Sequence, residues 1–196
     1  MLSSVVTLST LLAAVTAAPL AARDSSTDTA TCTFPFAEPV QAEIFGSWDG
    51  RFGWDAVKDE NGTPQNVTVT KLDHAPYDRW TVEPAGGNNN DTFKIRYDNS
   101  SLCATGVTNG RIYENTTLSF VDCDEGSYAW WNIACEDNCN PQSCTIRALN
   151  TANVQLSDLF ATVQSGDYGP VTLYYPGEGL NITDDSLWSI SVATSD

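Results

Sequence analysis

Ile44, Ile95 and Ile146 stand 51 residues apart in this 196-residue chain, and Trp80 and Trp131 repeat the same interval. Trp188 follows after 57. One pattern recurs around each tryptophan: Leu72, Cys123 and Leu180 lie eight positions before it, and Val82, Ile133 and Ile190 lie two positions after it. An upstream pair recurs as Val67 with Val69, Leu118 with Phe120, and Val171 with Leu173. A third pair opens each unit, as Ala42 with Ile44, Phe93 with Ile95, and Cys144 with Ile146. A unit of this length cannot bury its apolar face alone, so the copies must share one core. Isoleucine to tryptophan is 36, 36 and 42 residues, so the third copy carries six extra residues, expected mostly around Tyr174 to Gly179.

The apolar residues of each pair are two apart, the period of a strand with one buried face. Clusters of Gly, Asn and Asp separate the pairs (AGGNNND, YDNSS, GDYGP) and read as turns. No long stretch carries a helical apolar stripe. The expectation is therefore an all-β domain over residues 32–196, with about twelve short strands in repeats of about 42–92, 93–143 and 144–196. Its core is anchored by Ile44, Trp80, Ile95, Trp131, Ile146 and Trp188.

The ends and the chemistry of the chain point outside the cell. Val5 to Val15 form a short apolar run followed by Thr16, Ala17, Ala18 and Pro19. That pattern predicts a signal peptide over residues 1–18, too short to span a bilayer. Residues 19–31 are expected to be a flexible, polar lead-in. Six cysteines follow, Cys32, Cys103, Cys123, Cys135, Cys139 and Cys144, an even number that reads as three disulfides among 15 possible pairings. A zinc site is the rival reading, and His74 is the single histidine. Sequons stand at Asn61, Asn66, Asn90, Asn99, Asn115 and Asn181, and predict glycosylated surface loops. With 9 basic and 25 acidic residues the net charge is −16, which argues against nucleic acid and anionic membranes as partners. No cofactor is implied, and a monomer is expected.

Candidate binding residues are aromatic and acidic. Trp130 precedes Trp131 on one strand, so it points to the opposite face, where an exposed ring can stack on a sugar or anchor a protein. Trp48, Phe52 and Trp54 crowd beside Asp49 and Asp55, the flat apolar faces and acceptors that a sugar site needs. Tyr174 and Tyr175, with Asp158 and Asp185, form a second candidate group. Acidic groups at Asp122, Asp124 and Glu125, at Glu136 and Asp137, and at Asp184 and Asp185 invite a glycosidase or calcium reading, but no calcium-loop spacing accompanies them. His74 has no Gly-x-Ser-x-Gly elbow beside it, and no Gly-rich phosphate loop exists. Leu118 to Leu180 is free of sequons, so an interface is expected on the side holding Trp130 and Tyr174.

These repeats resemble the ricin-B lectin-like β-trefoils, whose three units each end in a Gln-x-Trp motif. The segment CDEGSYAWWNI, Cys123 to Ile133, is similar to that family's cysteine, spacer and motif. The resemblance covers Ala42 to Val192. It implies a β-trefoil and a sugar-binding module without catalysis. The family's glutamine positions hold Asp78, Ala129 and Ser186 here, and Asp55 and Asp158 are nearest to its early loop aspartate. The resemblance also implies a Cys103–Cys123 disulfide. Cys135 and Cys144 flank the turn between two units and would pair across it, leaving Cys32 to Cys139. Two other functions remain open. One is a protein-binding trefoil, a protease inhibitor or host-directed effector, contacting its partner through Arg79 or the loop near Pro176. The other is a hydrolase built on the acidic pairs.

Overall fold

The structure, a computed structural model, describes residues 32–33, 38–46, 52–71, 79–85, 92–124, 129–135, 143–150, 155–163, 169–176 and 187–192. Among these residues fifteen strands are numbered in chain order. Six form a barrel: β2 (Val40–Gly46), β5 (Trp80–Pro84), β6 (Thr92–Tyr97), β11 (Trp130–Cys135), β12 (Cys144–Asn150) and β15 (Leu187–Val192). Each pairs antiparallel with the next, and β15 returns to β2, so the ring closes. Three hairpins attach to it: β3 (Phe52–Lys58) with β4 (Pro64–Lys71), β7 (Leu102–Thr105) with β10 (Ser119–Asp122), and β13 (Gln155–Val163) with β14 (Gly169–Tyr174). The remaining strands are two residues each: β1 (Cys32–Thr33) alongside β11, and β8 (Val107–Thr108) paired with β9 (Arg111–Ile112). No helix among the described residues is long and apolar enough to cross a membrane.

The period-two pattern explains how the strands bury themselves. On β2, Ala42 and Ile44 are buried while Gln41, Glu43 and Phe45 stay partly exposed. Trp80, Trp131 and Trp188 are at most 1% exposed, as are Ile44, Ile95 and Ile146. Each of the three indoles donates its Nε1–H to a backbone carbonyl on a hairpin's first strand. Trp80 reaches Trp54 at 3.3 Å, Trp131 reaches Ala104 at 2.9 Å, and Trp188 reaches Ala161 at 2.9 Å. Thus each ring fills the core, satisfies its own polar atom, and fastens a hairpin to the barrel. The hairpins also meet one another. Val67 N–H donates to the Leu118 carbonyl at 2.9 Å, and Leu118 N–H to the Val171 carbonyl at 2.8 Å. All three of these residues are fully buried.

The extra length of the last unit falls on both sides of the β13–β14 pairing: Leu173 to Trp188 is 15 residues where Phe120 to Trp131 is 11. The carbonyl-bearing residue precedes its tryptophan by 26, 27 and 27 residues, so that interval does not expand. Ala161 instead stands 15 residues after Ile146, where Ala104 stands 9 after Ile95. Between these residues the excess lies within β12 and β13, which are longer than β6 and β7 and whose pairing shifts register between Arg147 and Leu149. The added residues after Leu173 are offset by a shorter β13–β14 hairpin, in which Ala161 already faces Leu173.

Two disulfides are present among the described residues. Cys103–Cys123 joins residues 20 apart, and Ala129 packs against it in a small buried cluster. Cys135–Cys144 bridges directly opposed residues of β11 and β12. Cys139 lies outside the described residues, and with it the expected Cys32–Cys139 pair.

Gly106, between β7 and β8, lies close against Leu173 of the β13–β14 hairpin. A Cβ there would overlap Cγ and Cδ1 of Leu173, itself fully buried. Gly106→Ala is expected to cost about 1–3 kcal/mol through overpacking. The midpoint of urea unfolding measures it, and an unchanged midpoint would show that Leu173 has room to turn aside.

Candidate functional site

Of the Trp48–Asp55 cluster expected in the first unit, the described aromatics Phe52 and Trp54 are buried. Trp54 is 1% exposed and packs edge-on against Trp80 at 5.7 Å and Trp188 at 5.4 Å. Phe52 and Ala56 share its inward face on β3. Strand alternation puts the indole inside, where it occupies the position that Ala104 and Ala161 hold in the other two units. Asp55 is engaged locally: its Oδ1 accepts the Ala56 N–H at 2.8 Å and its Oδ2 the Thr70 hydroxyl at 3.1 Å. Trp48 lies outside the described residues.

The outer face of β11 to β14 gathers polar and aromatic side chains. Asn132 is the register partner of Arg147, Arg147 of Phe160, and Phe160 of Tyr174, one row across four strands. Their neighbours Trp131, Ile146, Ala161 and Leu173 all sit in the core, so this row points outward. Trp130, two residues from Asn132, shares the face and lies opposite Lys94 of β6. Lys94 is held by its Nζ donating to the Cys123 carbonyl at 2.7 Å. Two of the aromatics singled out in the sequence, Trp130 and Tyr174, are therefore on one surface. Both are half-buried, which fixes their rings while leaving part of each open.

At the centre of the row the Arg147 guanidinium lies 4.5 Å from the Phe160 ring centroid. Phe160 is 4% exposed, so it acts as a floor for the cation rather than as a ligand platform. Arg147 Nε and Trp130 Nε1 are both buried donors without an acceptor. A buried unpaired donor costs about 1–3 kcal/mol, and Trp54 Nε1 in the core is another. The face thus presents a guanidinium, an indole and a phenol, each partly exposed. Neither Arg147 nor Phe160 was among the sequence candidates. The available signal was alternation: both flank core residues on their strands.

The other sequence candidates are scattered. Tyr175 is 38% exposed at the end of β14, and Asp158 is exposed on β13, two residues before Phe160. Asp122 and Asp124 are exposed and form a local turn in which Asp122 Oδ1 accepts the Asp124 N–H at 2.9 Å. Asp185, Glu125, Glu136, Asp137, Asp184 and His74 lie outside the described residues. Among those described, no group of three His, Cys, Asp or Glu is placed to hold a metal. Asn61, Asn66, Asn99 and Asn115 are exposed, whereas Asn90 and Asn181 lie outside the described residues. Of the positions corresponding to the family glutamine, Ala129 is buried against the Cys103–Cys123 disulfide and offers no amide. Arg79 is exposed and Pro176 half-buried.

Solved structures with the same arrangement exist. A protein described as a BEL β-trefoil superposes with TM-score 0.55 at 18% identity, covering 83% of this chain and all of that one. The chain is a β-trefoil in fold. A designed three-fold symmetric protein, ThreeFoil, matches this trefoil with TM-score 0.55 at 13% identity, over 78% of this chain and 99% of that one. A mosquitocidal holotoxin matches with TM-score 0.59 at 13% identity over 81% of this chain, which spans only 18% of the toxin. At these identities the likeness is one of fold. No family model matches the trefoil's sequence, and no curated protein does.

Proposed function

We propose that this trefoil is a secreted, non-catalytic carbohydrate-binding module that holds glycan on the outer face of β11–β14. In this reading residues 1–18 are a signal peptide and 19–31 a lead-in. Residues 32–196 are then one domain of three units, about 42–92, 93–143 and 144–196. The two disulfides suit an extracellular protein. The exposed sequon asparagines suit glycosylation, and one of them, Asn115, lies beside β14, its backbone N–H donating to the Leu173 carbonyl at 2.7 Å. A non-catalytic role is supported by the local engagement of Asp55 and Asp122, whose carboxylates accept hydrogen bonds from nearby backbone and hydroxyl groups.

The observation that carries the proposal is the outward row Asn132–Arg147–Phe160–Tyr174 with Trp130 beside it. Sugars are bound by an aromatic face against C–H groups and by fixed donors toward hydroxyls, and this surface offers both. Trp130→Ala and Tyr174→Ala are each expected to weaken glycan binding about tenfold or more, as loss of an aromatic anchor does. Binding of the full chain to a glycan array, followed by titration calorimetry of the hits, tests this. A protein that binds no sugar at millimolar concentration, or whose affinity ignores both substitutions, would remove the proposal.

A further inference from the structure

The units of the trefoil contain an internal comparison that bears on what kind of glycan fits. Arg96 follows Ile95 and Arg147 follows Ile146, 51 residues on. Both lie on the first barrel strand of a unit and both point outward. Arg96 is neutralised: its guanidinium pairs with Glu83 at 2.7 Å and donates to the Ser100 carbonyl at 3.2 Å. The residue 51 positions after Glu83 is Ala134. Arg147 accordingly has no carboxylate partner among the described residues, although the chain carries 25 acidic residues to 9 basic. Its Nε is buried and unbonded, and its Cζ lies over the Phe160 ring.

From this we infer that the β11–β14 face recognises a sugar acid, a glycan bearing a carboxylate, with Arg147 receiving that group. The inference rests on the glycan-binding reading above. A guanidinium kept planar on an aromatic ring presents its N–H edge with little conformational freedom left to lose, and that edge matches a carboxylate in a two-pronged hydrogen bond. The position of Glu83 against Arg96 shows that the same strand geometry accepts a carboxylate oxygen at this distance. Trp130 lies on the strand to one side of Arg147 and Tyr174 beyond Phe160 on the other, and either ring would stack on the sugar. Asp158 is the nearest acidic residue on the same strand as Phe160, and it forms no ion pair with Arg147. The strongly negative chain repels an anionic ligand at long range, so association is expected to quicken as salt screens that repulsion.

The test is titration of the full chain with the methyl glycosides of glucuronic, galacturonic and N-acetylneuraminic acids, each beside its methyl ester, and with acetate. At least one acid is expected to bind tenfold or more tighter than its own ester, and acetate only weakly. Arg147→Met should erase the difference between acid and ester. Ala134→Glu, which supplies the partner that Glu83 gives Arg96, should do the same without disturbing the core, and this second variant guards against a folding defect in the first. Esters bound as well as every acid would overturn the sugar-acid inference while leaving glycan binding intact. Acetate or an acidic peptide bound as tightly as the best sugar acid would overturn it too, as a bare carboxylate site. Binding of no glycan at all would overturn both readings.

Discussion

Trp131→Ala is expected to destabilise the fold by about 4 kcal/mol, the size of effect seen when a large aromatic is removed from a packed core. The ring is 1% exposed, and its Nε1–H is the hydrogen bond that ties β11 to the Ala104 carbonyl at 2.9 Å. Substitution therefore leaves a cavity and also orphans a buried acceptor, and the two losses compound. Against a total stability of roughly 5–15 kcal/mol for an ordinary domain, such a loss brings the variant close to unfolding. The adjacent Trp130→Ala is the internal control. That ring points the other way and its N–H is already unpaired, so its loss should cost about 1 kcal/mol or less. Urea denaturation of the two variants side by side is the measurement. Similar shifts in both would contradict the inward and outward assignment on which the fold and the proposed binding face both depend.

Removing the Cys103–Cys123 bridge by a double alanine substitution is the second large effect expected. The bridge closes a loop of 20 residues, and the loss of that constraint on the unfolded chain is worth about 3 kcal/mol. In a domain of this size that corresponds to a fall in Tm of roughly 6–12 °C. Cys135–Cys144 closes a loop of only 9 residues, so its removal should cost somewhat less by the same reasoning. Calorimetric melting of the two double variants ranks them. A fall of less than about 2 °C for the Cys103–Cys123 variant would mean that the unfolded chain is constrained in some other way.

The 51-residue interval made the core readable in advance, because a residue that repeats across units must occupy equivalent space in each. Trp80, Trp131 and Trp188 sit where that logic puts them, each with the same kind of hydrogen bond. Trp54 escaped it because it breaks the repetition: an indole stands where the other units have alanine, and only alternation from Phe52 signals its inward face. Its rings contacts with Trp80 and Trp188 show that the extra volume makes the interior uneven rather than three-fold. Trp130 and Tyr174 were readable as outward residues from their neighbours. Arg147 was not, since a charged residue beside a core isoleucine looks like ordinary solvated surface. Its role depends on lying opposite Phe160, a pairing set by a register shift that no local pattern announces.

Closure of the barrel by β15 has a consequence for how the molecule is assembled. That strand is inserted between β2 and β12, pairing Ile190 with Ile44 on one side and Trp188 with Cys144 on the other. Until it arrives, two barrel strands present open hydrogen-bonding edges, the kind of surface on which chains stick to one another. During synthesis from the amino end β2 must wait for a strand some 146 positions later, and contacts so distant in sequence form slowly. The interval before the ring shuts is thus the stage at which this protein is most exposed to aggregation, and β15 is the keystone that ends it.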